Sequence, residues 1–131
     1  PALIRKALEA KDRGDTELKV WGDGSPTREF LFVEDAADGI VTAAEKYNGD
    51  QPVNLGSGYE ISIKDLSEMI VRMTGFEGKL VWQTDKPNGQ PRRGLDVSRA
   101  KELFGWSAQV PFEEGMRRTI EWFKANRDKI K

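Results

Sequence analysis

Trp21 and Arg28 stand on either side of Gly22-Asp23-Gly24-Ser25-Pro26, a run composed of turn formers. An indole offers a flat face for stacking, and a guanidinium offers a planar fork of donors that matches phosphate oxygens. A nucleoside diphosphate needs both kinds of grip. A second cationic run, Lys86-Pro87-Asn88-Gly89-Gln90-Pro91-Arg92-Arg93, lies in a long polar stretch from Thr84 to Gly94. Loops of that length without structure of their own are often functional, and prolines lower the cost of ordering them. Arg92 and Arg93 could clamp a pyrophosphate or a ribose, and a solvated basic surface loop accounts for them equally well.

Plainer roles exist for several of these groups. A lone Trp at a strand end is more often a core or rim residue than a stacking platform. Trp82, Trp106 and Trp122 are expected in the core, and Lys6 falls on the polar side of a helix. Asp35 is expected to cap a helix and Asp96 to join a loop to one. Gly56-Ser57-Gly58 follows an apolar segment, but a dinucleotide fingerprint would place a third Gly at position 61, which is Ile. A simple turn is expected there, and no cofactor fingerprint.

Composition removes whole classes of chemistry. The 131 residues include 21 basic and 22 acidic side chains, giving a formal charge of −1. That balance points to no nucleic-acid partner and to no acidic tail. Without Cys or His there is no disulfide, no thiolate and no imidazole, so no metal centre is expected; the lack of Cys fits a reducing compartment. No apolar run reaches membrane-spanning length, so no membrane partner is expected. The chain opens on Pro1-Ala2-Leu3-Ile4 without an initiator Met, as expected of a piece of a longer protein.

The periodicity supplies the elements that must position these groups. Leu3, Ile4, Ala7 and Leu8 predict an opening amphipathic helix, with Pro1 in its first turn and Gly14 as its stop. A strand over 18–21 leads into the turn, and Phe30-Leu31-Phe32-Val33 reads as a second strand. A helix is predicted over 34–47, a strand over 53–55, and a third helix that starts on a Ser62/Asp65 capping box and ends at Gly75. Leu80-Val81-Trp82 reads as a strand, 98–104 as a short helix, and Phe112, Met116, Ile120 and Phe123 mark a final helix. Helices alternating with short strands give an α/β class.

Several segments carry a family resemblance: PALIRK, VWGDGSPTREFLFVEDAADGI, VNLGSGYEISIKDL, KPNGQPRRGLDVSRAKELFGW and the closing EWF. In that order they resemble the nucleotide-sugar epimerases and dehydratases of the extended short-chain dehydrogenases, and within them most closely the GDP-L-fucose synthase branch. The KPNGQPRRGLDVSRA run is the most specific to that branch; VNLGSG and REFLFVED are shared across the family.

The resemblance implies the carboxyl-terminal, substrate-binding part of such an enzyme: a small mixed sheet with several helices, all within 1–131. Helix 34–47 and strand 53–55 would pack on a nucleotide-binding Rossmann lobe outside this chain. Without that lobe Ile40, Val41, Val53 and Leu55 would form an exposed apolar patch, and the piece would self-associate. The family's GDP contacts transfer onto Lys6, Trp21, Arg28 and Arg93. The best-known members carry Arg where Lys6 stands and Lys where Arg93 stands, swaps that keep the charge and exchange a fork for a point donor.

The family's NADP(H) site and its Ser/Thr-Tyr-Lys set would lie outside the chain, so no catalytic or cofactor-binding residue is assigned here. Tyr47 is followed four places on by Gln51 and Tyr59 by Ile63, so neither opens a Tyr-x-x-x-Lys motif. The segment by itself is expected to be inactive. The parent is expected to be a cytoplasmic homodimer that takes a GDP-sugar, with a UDP- or dTDP-sugar enzyme or a non-catalytic nucleotide-binding module as the alternatives.

Overall fold

The computed structural model describes residues 2–129; Pro1, expected in the first helical turn, lies outside them. Helix α1 (Ala2–Arg13) buries Ile4, Ala7, Leu8 and Ala10 and ends at Gly14, whose φ of 70° favours glycine. Strand β1 (Glu17–Trp21) alternates exposed and buried residues, with Leu18 and Val20 turned inward. It pairs in parallel with β4 (Lys79–Gln83), so that Trp21 lies opposite Gln83. Strand β2 (Thr27–Glu29) is the centre of a second sheet, antiparallel to β3 (Glu60–Ser62) and parallel to β5 (Arg92–Arg93).

The remaining helices are α2 (Val33–Lys46), α3 (Ile63–Thr74), α4 (Ser98–Phe104) and α5 (Phe112–Asn126), followed by a 3-10 turn over Arg127–Lys129. The main core gathers α1, β1, α3 and α5 around Leu8, Leu66, Ile70, Phe76 and Ile120. A smaller core forms where Ala100, Phe104 and Trp106 meet Leu31, Tyr47, Val53 and Leu55. There Gly39 of α2 lets the Trp106 ring approach so closely that a Cβ would lie 2.9 Å from it.

The start of α3 follows its sequence signature. Ser62 accepts from the Asp65 amide at 2.9 Å and its hydroxyl meets the Asp65 carboxylate at 2.6 Å. The two preceding amides are also satisfied, Ile63 by the Pro26 carbonyl and Lys64 by that of Gly24, both at 2.9 Å. The glycine-rich turn after β1 therefore closes the first turn of α3, and no amide among these three remains for an anion.

Several expectations are corrected. Phe30-Leu31-Phe32 is not a strand: the ladder ends at Glu29, and the aromatics leave it to pack by their side chains. Phe30 lies 6.2 Å from Phe112 between ring centroids, and Phe32 carries the Arg118 guanidinium over its face at 5.6 Å. Residues 53–55 are extended but pair with no strand among the described residues. Val53 and Leu55 are half-buried against the smaller core, so they do not join an exposed patch. The strands fall into two small sheets, and the polar loop ends in β5. Trp106 is buried and Trp82 half-buried, but Trp122 is 60% exposed on α5.

Asp35 is not a cap. It lies in the first turn of α2, buried to 6% exposure, and accepts from the amides of Gln109 at 3.1 Å and Val110 at 3.0 Å. It thus fastens the loop between α4 and α5 to α2. A salt-bridge group on α5 adds a second tie, because Arg118 bonds both Glu114 (2.8 Å) and Glu34 of α2 (3.0 Å). The hydrogen bonds from Arg117 and then Arg118 push the Glu114 carboxyl down to about 2. These charges are exposed, and such pairs contribute little each. Asp35 is the stronger fastener. Asp35→Ala strands two amides and lowers the unfolding free energy by about 2–4 kcal/mol in urea titration.

Candidate functional site: two arginines on one sheet face and an exposed indole

The second sheet sorts the cations by side-chain alternation. In the β2–β5 ladder Thr27 stands opposite Arg92, and Arg28 opposite Arg93. Successive side chains point to opposite faces, so Arg28 and Arg93 share one face while Thr27, Glu29 and Arg92 take the other. Glu60, the register partner of Glu29 on β3, belongs to the second face. There its carboxylate receives Arg92 through Nε at 2.9 and 3.0 Å and Nη2 at 2.5 Å, and the Thr27 hydroxyl at 3.0 Å. Arg92 is therefore neutralised, and only Arg93 of the adjacent pair is left facing Arg28. Arg93 is exposed and forms no ion pair among the described residues.

Arg28 is anchored at one nitrogen. Its Nη1 donates to the carbonyls of Thr27 and Gln90, each at 2.7 Å. Its Nε and Nη2 have no partner among the described residues, so a donor edge remains. Gly89, at φ +76°, passes 3.6 Å from Nη2 (measured to an ideal Cβ) without a side chain to cover it. A shallow cavity of about 530 Å³ is lined by Arg92, Arg93, Gly94, Leu95 and Asp96, and by none of Lys6, Trp21 or Arg28. A second cavity, about 600 Å³, lies between the ends of α1 and α3 around Lys11 and Phe76 and touches none of the sequence-nominated residues.

Trp21 closes β1 at 61% exposure, its ring free for stacking. Two crossovers connect its end of the first sheet to the arginines of the second. Residues 22–26 run from β1 to β2, and residues 84–91 run from β4 to β5. They are stitched where the Asn88 side chain accepts from the Asp23 amide at 2.9 Å, and where the Pro91 carbonyl accepts from the Thr27 amide at 3.0 Å. Gly22 makes the stitch possible, since its φ is 80° and a Cβ would meet Asn88 Oδ1 at 2.1 Å. Asp23 accepts from the Ser25 hydroxyl and amide, which hold its carboxyl below the usual range. The polar loop is thus a fixed strap.

Lys6 stands apart. It lies on the exposed side of α1, whose opposite side fills the main core, and no hydrogen bond joins it to the other three among the described residues. Composition alone could not have separated Arg92 from Arg93; the parity of β5 does so. Sequence reasoning also passed over Asn88 and Glu29. The only available signal for them was their place beside glycine-rich turns.

A family model for the NAD dependent epimerase/dehydratase family matches residues 1–56. A probable GDP-L-fucose synthase of Oryza sativa is 47% identical over 126 residues, 96% of this chain and 38% of that protein. The chain belongs to the NAD-dependent epimerase/dehydratase family. Another member, the GDP-L-fucose synthase of Escherichia coli, is 35% identical over all of this chain and 43% of its own length. A family structure described as a GDP-L-fucose synthetase from Naegleria fowleri bound to NADP superposes with a TM-score of 0.91 at 28% identity, covering 98% of this chain and 40% of that one. The chain therefore spans about two fifths of the length of these epimerase/dehydratase relatives.

The Arg92–Glu60 clasp has a defined pH response. The Arg92 hydrogen bond holds the Glu60 carboxyl below its ordinary value of 4.5, with Thr27 adding to the effect. A depressed carboxylate stabilises the fold above its unfolded pKa and loses that contribution as pH falls through the folded pKa. The clasp should therefore stay closed through the ordinary glutamate range and open below it. An NMR titration of the Glu60 carboxyl checks this, and a midpoint at the ordinary value would contradict it.

Proposed function

We propose that this chain is the nucleotide-sugar-binding portion of a longer NADP-dependent epimerase/reductase of the GDP-L-fucose synthase type, converting a GDP-4-keto-6-deoxymannose substrate to GDP-L-fucose. The observation that supports the reading is the register of β2 and β5, which sets Arg28 and Arg93 side by side on one sheet face, with Trp21 exposed at the end of β1. Arg28 and Arg93 take the diphosphate or ribose, Trp21 borders or stacks on the base, and Lys6 supplies a further positive charge once the rest of the enzyme is in place. Hydride and proton transfer belong to residues elsewhere in that enzyme. Bound NADP(H) would supply the hydride there, and binding energy gathered here would orient the sugar toward it.

A single calorimetric series on the full-length enzyme tests this, with GDP, UDP and dTDP as ligands. GDP should bind most tightly, and Arg28→Ala and Arg93→Ala should each weaken it about ten- to a hundredfold, the worth of one charge-assisted hydrogen bond. A preference for UDP or dTDP moves the assignment to a UDP- or dTDP-sugar enzyme of the same family. A full-length protein that binds GDP but turns over no nucleotide sugar would instead be a binding module.

The same reading gives α2 a partner. Val33, Ile40 and Val41 are 72%, 63% and 56% exposed, and Ala37 and Ala44 complete a stripe at helical spacing. In the longer enzyme this stripe packs on the cofactor-binding lobe, and the enzyme works as a homodimer in the cytoplasm. The isolated 131-residue chain should self-associate and bind an apolar dye, and Ile40→Glu with Val41→Glu should return it to a monomer in sedimentation. A monomeric, dye-silent parent chain would refute the assignment of α2.

A further inference from the structure

We propose that Glu29 is the positioning residue that fixes Arg93 beside Arg28, an inference that rests on reading those two arginines as the diphosphate grip. Strand β5 is two residues long, and such a strand holds its register only if both ends are secured. Its entry is secured by the Thr27 amide on the Pro91 carbonyl at 3.0 Å. Its exit is secured by one group: the Leu95 amide donates to Glu29 Oε2 at 2.8 Å. The other oxygen, Oε1, accepts from the Gly58 amide at 3.1 Å. One carboxylate thus binds three segments together: its own strand, the Gly56–Gly58 turn, and the chain directly after Arg93.

The surroundings are shaped around that carboxylate. A Cβ at Gly56 would lie 2.2 Å from Glu29 Oε1, so glycine there lets the carboxylate sit where the Gly58 amide can donate. Glu29 has no cationic partner among the described residues, so its charge is answered by backbone amides alone. On the same sheet face, Glu60 holds Arg92. The acidic face thereby holds β5 at Arg92 and the chain just after it at Leu95, while the opposite face presents Arg28 and Arg93. Glu29 itself lies on the face away from any ligand that the arginines bind, and acts only through Arg93.

A double-mutant cycle in the full-length enzyme tests this, with GDP as the probe. Glu29→Gln keeps one acceptor oxygen and turns an amide group against the other backbone donor, so it should weaken GDP about tenfold, the worth of one charged hydrogen bond. Because the effect passes through Arg93, adding Glu29→Gln to Arg93→Ala should cost nothing further, whereas adding it to Lys6→Ala should multiply the two losses. Gly56→Ala, which drives a methyl into Oε1, should reproduce the loss with Glu29 intact. Hydrogen exchange at Leu95 should quicken in Glu29→Gln with or without nucleotide. Losses from Glu29→Gln and Arg93→Ala that multiply, or unchanged exchange at Leu95, would overturn the positioning role. Unchanged GDP affinity in Arg93→Ala would instead sink the diphosphate reading, and Leu95 exchange would still decide whether Glu29 fixes the strand.

Discussion

The β2–β5 ladder is only two register pairs long, and the side on which each arginine stands depends on it. Pleating sends neighbouring residues to opposite sides of a sheet. Two consecutive arginines therefore cannot both face a ligand, and the carboxylate of Glu60 takes up the one turned away. The result is a face with two adjacent guanidinium groups and a reverse with acidic side chains that hold backbone and cation alike. Separating the charges in this way keeps two cations close together without leaving a third unpaired beneath them.

The strap at 84–91 adds preorganisation. A free chain of that length would lose conformational entropy on closing over a ligand. Here that cost has been met on folding, by Asn88 on the first crossover and by Arg28 on the Gln90 carbonyl. Arg28 is both a structural tie, through Nη1, and a donor with an unused edge. The glycines at 22 and 89 serve the same end, one admitting the Asn88 side chain and the other leaving Nη2 uncovered.

The sequence was most legible where local chemistry decides structure. The Ser62/Asp65 box, the glycine stops at 14 and 75, and the apolar periodicities of α1 and α5 depend on neighbours within a few residues. What escaped was decided at long range. Phe30-Leu31-Phe32 has strand composition, but β3 and β5 offer partners only as far as Glu29, and Phe112 and Arg118 claim the aromatic side chains. Asp35 looks like a cap because a cap and a buried tether need the same side chain; its partners are more than seventy residues away. Trp21 and Arg28 were nominated by side-chain type and, with Lys6 and Arg93, by the family resemblance. The resemblance pointed to Arg93 rather than Arg92, but the physical reason, strand parity, is not displayed by a loop-like sequence.

Parity also determines which changes in chain length the site can absorb. Residues gained or lost between Lys86 and Gln90 alter the strap's reach but leave both arginines on their present sides, so long as the Pro91 carbonyl still meets the Thr27 amide. One residue inserted between Pro91 and Arg92 would exchange them. Arg92 would then stand beside Arg28, and Arg93 would take the place of Gly94, where a Cβ comes within 2.8 Å of the Glu60 carboxylate. Homologues should therefore vary in length freely across the strap and hardly at all across the short stretch that follows it.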